Sequence, residues 1–204
     1  MCPFWMISII HTNRMTRIIQ TVGHSQDEKR ATHERIVDIA AARMREAGTE
    51  APGVAEIMRA AGVTHGGFYK HFGSRDELVA EAAARAFADS ERTADGLVDG
   101  AEDPLGSFVD SYLSADHRDT PATGCAVAGL GPDAARGDER VRARFALGVE
   151  GYLARLEGML GSREEAVVAL SSLVGALLLA RGLGDGELSD EVLETVRGRL
   201  TARA

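Results

Sequence analysis

Residues 54–78 read VAEIMRAAGVTHGGFYKHFGSRDEL. Val54, Ile57, Met58 and Ala61 recur at intervals of three and four, the period of one face of a short helix. Gly62 follows, the residue that most easily takes the positive φ of a tight turn. Thr64 is a residue type that caps helix starts. Phe68 and Phe72 fall on the inner side of the short helix it would open. Two short helices joined by a glycine turn form a helix-turn-helix. Ile57, Ala61, Val63 and Phe68 are the positions that hold its crossing angle. Thr64, His65, Gly66, Gly67, Tyr69, Lys70 and His71 are left to face a partner.

Gly66 and Gly67 are costly in a helix, by about 1 kcal/mol each relative to Ala. One reading is a loose first turn. The other is close approach to a nucleic-acid phosphate, which the free N–H groups of a helix start attract. The second is preferred, because Thr64, Tyr69, Lys70 and His71 can donate hydrogen bonds or charge there. Downstream, Ser74-Arg75-Asp76-Glu77 has the spacing of a capping box and predicts a long helix from Arg75 to about Thr93. Upstream, Ile36, Ile39, Ala40, Met44 and Ala47 predict a helix over 29–47, ended by Gly48.

The combined pattern resembles the DNA-binding domain of the tetracycline-repressor (TetR/AcrR) family. The resemblance rests on Ala61-Gly62-Val63-Thr64, Gly66, Phe68-Tyr69, His71-Phe72 and Ser74-Arg75-Asp76-Glu77-Leu78, with 29–48 matching the family's first helix. It covers residues 29–80; beyond them only length and helical character agree. It implies a homodimeric, ligand-responsive regulator that binds a palindromic double-stranded DNA operator. Tyr69 and His71 then correspond to phosphate contacts, and Arg75 to a basic backbone contact. Thr64, His65, Gly66 and Lys70 correspond to positions within reach of base edges. Thr32 and Val54 correspond to positions near phosphates. Met58 departs from the pattern, where a small Ala is usual, and predicts an altered helix crossing.

Working outward, the whole chain of 204 residues carries a formal charge of −8, which argues against coating nucleic acid over its entire surface. The charge is unevenly spread. Residues 1–75 hold 10 basic and 7 acidic side chains, and residues 76–204 hold 13 and 24. The basic part coincides with the motif. With 45% apolar residues the chain can build a core, and with 5% aromatics and abundant Ala, Leu, Arg and Glu it favours helix. No segment alternates with period two. The expected fold is all-α with about nine helices: a flexible arm over 1–27, a helix-turn-helix domain over 28–75, and a regulatory and dimerisation domain over 76–204. An alternative for residues 1–27 is a start upstream of the true one, with Met15 as the other initiator.

Helix starts are predicted at Asp103-Pro104, Thr120-Pro121, Asp138, the capping box Ser162-Arg163-Glu164-Glu165, and Ser189. The segment 164–181 is apolar nearly all round, so one face needs another partner. Together with the last helix it suits a four-helix interface between two chains, through Val167, Leu170, Val174, Leu177, Leu178, Val192, Val196 and Leu200. A pocket for a small apolar or amphipathic effector is expected among Phe108, Tyr112, Cys125, Leu130, Phe145 and Tyr152. Each of these reads first as an ordinary core position and second as a ligand contact. Cys125 reads as a small buried residue rather than a redox sensor, having no basic residue within five positions. Two cysteines, Cys2 and Cys125, make no disulfide framework or metal site, and no cofactor is expected. The longest apolar run, 166–180, is short of the roughly 20 residues of a membrane span. The N-terminal apolar stretch lacks a preceding basic residue and a cleavage site, so a cytoplasmic protein without membrane association is expected. No nucleophile elbow, phosphate loop or metal cluster supports an enzyme. A helical protein-interaction module remains the third reading.

Overall fold

The computed structural model describes the backbone of residues 8–50 and 53–202, with the side chains of residues 8–25 and of Arg140 outside the description. Among the described residues it is helical without strands: α1 Ser8–Ala47, α2 Val54–Ala60, a 3-10 segment His65–Lys70, α3 Arg75–Val98, α4 Pro104–Tyr112, α5 Ala115–Asp119, a 3-10 turn Pro121–Thr123, α6 Ala126–Arg136, α7 Glu139–Leu160, α8 Arg163–Leu183 and α9 Glu187–Thr201. Helix α1 begins well before the residue 29 suggested by periodicity, and helical backbone covers 8–27, where an arm was expected.

Local chemistry accounts for most boundaries. Asp103 accepts the Gly106 N–H ahead of Pro104, Asp138 accepts the Val141 N–H, and Ser162 accepts the Glu165 N–H. The Ser74 hydroxyl accepts from the Glu77 N–H at 3.2 Å, while the Glu77 carboxylate reaches back to the Gly73 N–H at 2.5 Å, one residue beyond the usual capping box. Gly62 has φ +73°, as the turn requires.

Two expected caps are not made. Thr64 makes no side-chain cap. Ser189 lies inside α9, which starts at Glu187; its buried hydroxyl donates to the Ala180 carbonyl and accepts from Arg118. A stronger use for that hydroxyl, satisfying a buried guanidinium, outweighs a helix start. Thr120-Pro121 opens only a 3-10 turn, and the following helix begins at Ala126.

Two cores form. The first joins α1, α2, the 3-10 segment and the first half of α3 through Ile36, Met44, Met58, Phe68, Phe72 and Leu78. It also takes in Ala82 and Ala86, and Ala126 and Leu130 from α6, residues beyond the expected boundary at 75. The second joins α4, α7, α8 and α9 around Phe108, Leu113, Leu156, Leu173 and Leu177. At about 25 cal/mol per Å² of apolar surface removed from water, burial of such side chains is the main stabilising term. Helix α8 is long and apolar enough to cross a membrane by those measures alone, yet Ala166, Leu170, Leu173 and Leu177 on it are core residues.

Candidate nucleic-acid interface and interior cavity

The second helix of the motif is a 3-10 turn, not an α-helix. The Gly67 N–H bonds the Thr64 carbonyl at 2.9 Å and the His71 N–H bonds the Phe68 carbonyl at 2.9 Å, both three residues apart. Phe68 anchors it, stacked 5.5 Å from Phe72 inside the first core. Thr64, His65, Gly66, Tyr69 and Lys70 are exposed, Tyr69 at 75%. A large aromatic ring that makes only an edge contact with Phe68 and otherwise faces water suits a partner surface.

The two glycines are not explained by packing. Neither has positive φ. A Cβ on Gly66 would meet nothing within 4 Å, and one on Gly67 would meet only Thr64 Oγ1 at 3.7 Å and Met58 Cε at 3.8 Å. The chain itself would therefore accept Ala at both. Met58, fully buried, fills the space under Gly67, which is how the fold accommodates a larger residue there.

The remaining predicted interface residues divide. Thr32 on α1 and Val54 at the start of α2 are half-buried. His71 is half-buried beside His33, with Nδ1 buried and unpartnered among the described residues. Burial first, then the charges of His33, Lys29 and Lys70, depress its pKa below the ordinary histidine value. The Arg75 guanidinium donates to the Thr49 carbonyl at 2.6 Å, tying the start of α3 to the α1–α2 loop while staying partly exposed. Sequence reasoning missed Lys29, whose charge acts on His71, because its distance along the chain hides its proximity. It also missed Arg35, which donates to the Ala61 carbonyl at 3.0 Å and steadies the turn.

Helix α6 connects this head to the rest. Gly129 lies against the backbone of Arg45 on α1. Asp133 accepts from the Thr49 hydroxyl and N–H, and the buried Arg45 donates to the Ala122 carbonyl at 2.6 Å just ahead of α6. At the other end, the Cys125 N–H donates to His117 Nε2 at 3.0 Å and the Ala126 N–H to the Ser90 hydroxyl at 3.1 Å.

Cys125 sits on a cavity of about 140 Å³ between α3, α4, α5 and α7. Of the predicted pocket residues, Phe108, Tyr112, Cys125 and Tyr152 line it. Leu130 and Phe145 do not. Leu130 is drawn into the first core by α6, and Phe145 packs edge-on to Phe87. Ser111, Ser114, Thr120, Thr123 and His117 add the polar lining, which came from short elements that periodicity does not reveal. His117 Nδ1 donates to the Tyr112 carbonyl at 2.7 Å, which leaves Nε2 as the acceptor for Cys125. Burial lowers the His117 pKa against the opposing pull of that carbonyl. Arg181, distant in sequence, donates to the carbonyls of His117 and Arg118 and holds the cavity loop onto α8.

On α8, Leu170 and Leu177 are buried in their own chain and leave the predicted interface. Val167 and Leu178, from the same expected set, are exposed, as are Val168, Leu179 and Leu183, which it did not include. Val174, Val192, Val196 and Leu200 are half-buried, packed on the second core. Among the described residues no group of three or more His, Cys, Asp or Glu side chains is arranged to hold a metal ion.

A profile of the bacterial regulatory proteins of the tetR family matches residues 36–82. An uncharacterised HTH-type transcriptional regulator of Mycobacterium tuberculosis is 32% identical over 193 residues, covering 83% of this chain and 94% of that one. In structure, a TetR transcriptional regulator from Chloroflexus aurantiacus superposes with a TM-score of 0.76 at 21% identity, over 86% of this chain and 95% of that one. The reduced form of NemR from Escherichia coli gives 0.72 at 20% identity, over 84% and 96%.

Proposed function

This chain belongs to the tetR family of bacterial regulatory proteins, DNA-binding transcriptional regulators, and on that footing we propose that it acts as a homodimeric repressor released from a palindromic operator by a small effector. The observation that carries the DNA-facing part is the pair Gly66 and Gly67. Nothing in the chain needs them bare, so the space they leave is for a partner that approaches the backbone closely. Around that space Thr64, His65, Tyr69 and Lys70 offer donors and charge to phosphates and base edges. Thr32, Val54, His71 and Arg75 frame it, Arg75 through its hold on the α1–α2 loop.

Dimerisation is supported by Val167, Val168, Leu178 and Leu179, apolar side chains left in water on one helix. Two copies paired through α8 and α9 would present two reading segments to half-sites about one DNA turn apart. Effector response is supported by α6, whose N-cap Cys125 lines the cavity and whose Leu130 lies in the head's core. A ligand that favours one position of α6 shifts the population of head spacings. We assign the chain no catalytic role and no membrane partner, and place it in the cytoplasm with its DNA.

Selection from fragmented genomic DNA with the purified full chain tests the reading. Enrichment of a palindromic sequence, bound by two copies, is expected; enrichment of no such sequence would sink it.

A further inference from the structure

We infer that the cavity takes an uncharged molecule with a single aromatic ring and one hydrogen-bond acceptor, of the class of an aryl ketone. The inference rests on the effector reading of the cavity given above. Size is the first argument. A volume of about 140 Å³, open to solvent at a rim where Asp116, Thr120 and Thr123 are exposed, holds one ring inside its wall, since a cavity of roughly 150 Å³ accommodates benzene. Shape is the second. Phe108 lies with ring centroids 5.7 Å from Tyr112 and 6.5 Å from Tyr152, and all three line the cavity, separations typical of aromatic packing.

The acceptor follows from Tyr112. Its side chain is 5% exposed, and its hydroxyl has no hydrogen-bonding oxygen or nitrogen partner among the described residues. The Cys125 thiol lies beside it, but sulfur is a weak partner. A buried hydroxyl left in that condition costs free energy that a ligand's carbonyl oxygen would recover by taking the place of the thiol beside it, since less than 1 Å² of the hydroxyl oxygen is otherwise accessible.

Neutrality follows from the surrounding charge. Asp116 stands at the exposed rim and disfavours a carboxylate. The Arg181 guanidinium already donates to the carbonyls of His117 and Arg118 and is not part of the lining. An ammonium ligand would find no buried carboxylate on the cavity wall.

Calorimetry on the full-length protein with four probes tests this: acetophenone, isopropylbenzene (the same shape without the acceptor), 2-octanone (an acyclic ketone) and benzoate. Acetophenone should bind best, about tenfold tighter than isopropylbenzene, the weight of one buried hydrogen bond. Tyr112→Phe should erase that preference while retaining isopropylbenzene binding, which also reports that the variant is folded. The inference is overturned if 2-octanone or benzoate binds as tightly as acetophenone, or if Tyr112→Phe keeps the preference. Operator release by a small-molecule cell extract separates the two levels, using Leu97→Trp and Ala94→Val to shrink the cavity and circular dichroism to confirm folding. If no aryl ketone binds but these variants lose the response to extract, the ligand class is wrong and the effector cavity stands. If the folded variants respond like the parent chain, the cavity reading falls and takes the inference with it.

Discussion

Gly129 of α6 meets the backbone of Arg45 on α1: a Cβ at Gly129 would stand 3.0 Å from both the Arg45 Cα and its carbonyl oxygen. Backbone cannot swing aside as a side chain can, so Gly129→Ala must push the two helices apart. The helix-propensity gain of the change is about 1 kcal/mol. Overpacking costs about 1–3 kcal/mol, so the net effect is a loss. Gly175→Ala on α8 meets nothing within 4 Å and should be neutral or stabilising. Chemical denaturation of both variants checks the opposite signs, and operator affinity should change only for Gly129→Ala.

Lys70 and Tyr69 should weaken operator binding in distinguishable ways. Lys70→Ala removes one exposed charge from each of the two reading segments, so binding should fall and the slope of log affinity against log salt should drop by about 1 per head, about 2 for the dimer. Tyr69→Phe leaves charge untouched, so it should weaken binding with the slope preserved. Neither side chain is in the core, and both variants should unfold within about 0.5 kcal/mol of the parent. Titrations at several salt concentrations would expose a wrong assignment as an unchanged slope for Lys70→Ala.

His117 gives the fold a pH dependence of definite sign. Its ring satisfies both neighbours only when neutral, donating from Nδ1 to the Tyr112 carbonyl and accepting at Nε2 from the Cys125 N–H. Burial holds its native pKa below 6.5, the value of an unperturbed histidine. As pH falls below 6.5 the unfolded chain takes up a proton that the native chain refuses, so stability declines. Above 6.5 this contribution is fully present. His71, also depressed by burial, adds a slope of the same sign. Urea midpoints at pH 5.5 and 7.5 should differ less in His117→Asn than in the parent, although the variant is less stable at both.

The exposed stripe on α8 separates association from folding. Leu179 is 60% exposed and Leu177 fully buried two residues earlier. Leu179→Glu should fold normally and sediment as a monomer, with operator affinity lost for want of a second head. Leu177→Glu should fail to fold, because it buries an unpaired charge. Dimeric Leu179→Glu would show that α8 is not the contact.

Much of this architecture is legible in the sequence because it is written locally. Asp103, Asp138 and Ser162 announce helix starts by chemistry that acts within three residues. Gly62 announces the turn by its conformational freedom. What escapes is long-range. Periodicity identifies Leu170 and Leu177 as apolar but not which side of α8 their own chain covers. Leu130 has the character of a pocket residue, yet α6 carries it to the other core. Lys29, Arg35 and Arg181 each act at a place far from their neighbours in sequence, on His71, on the turn and on the cavity loop. The 3-10 form of His65–Lys70 has no local signal, since neither Gly66 nor Gly67 takes a positive φ and Ala would fit at both.

The core beneath the reading segment is completed by Ala126 and Leu130, residues about fifty positions further along the chain. A graft that transplanted only residues 28–75 onto the body of a relative would leave that core open on one side. Exchange of heads between such regulators, whether by recombination or in the laboratory, should therefore work only when α6 travels with the head or is already matched to it. The unit of inheritance for operator choice is then discontinuous in sequence, a constraint that a linear division of the chain into modules does not convey.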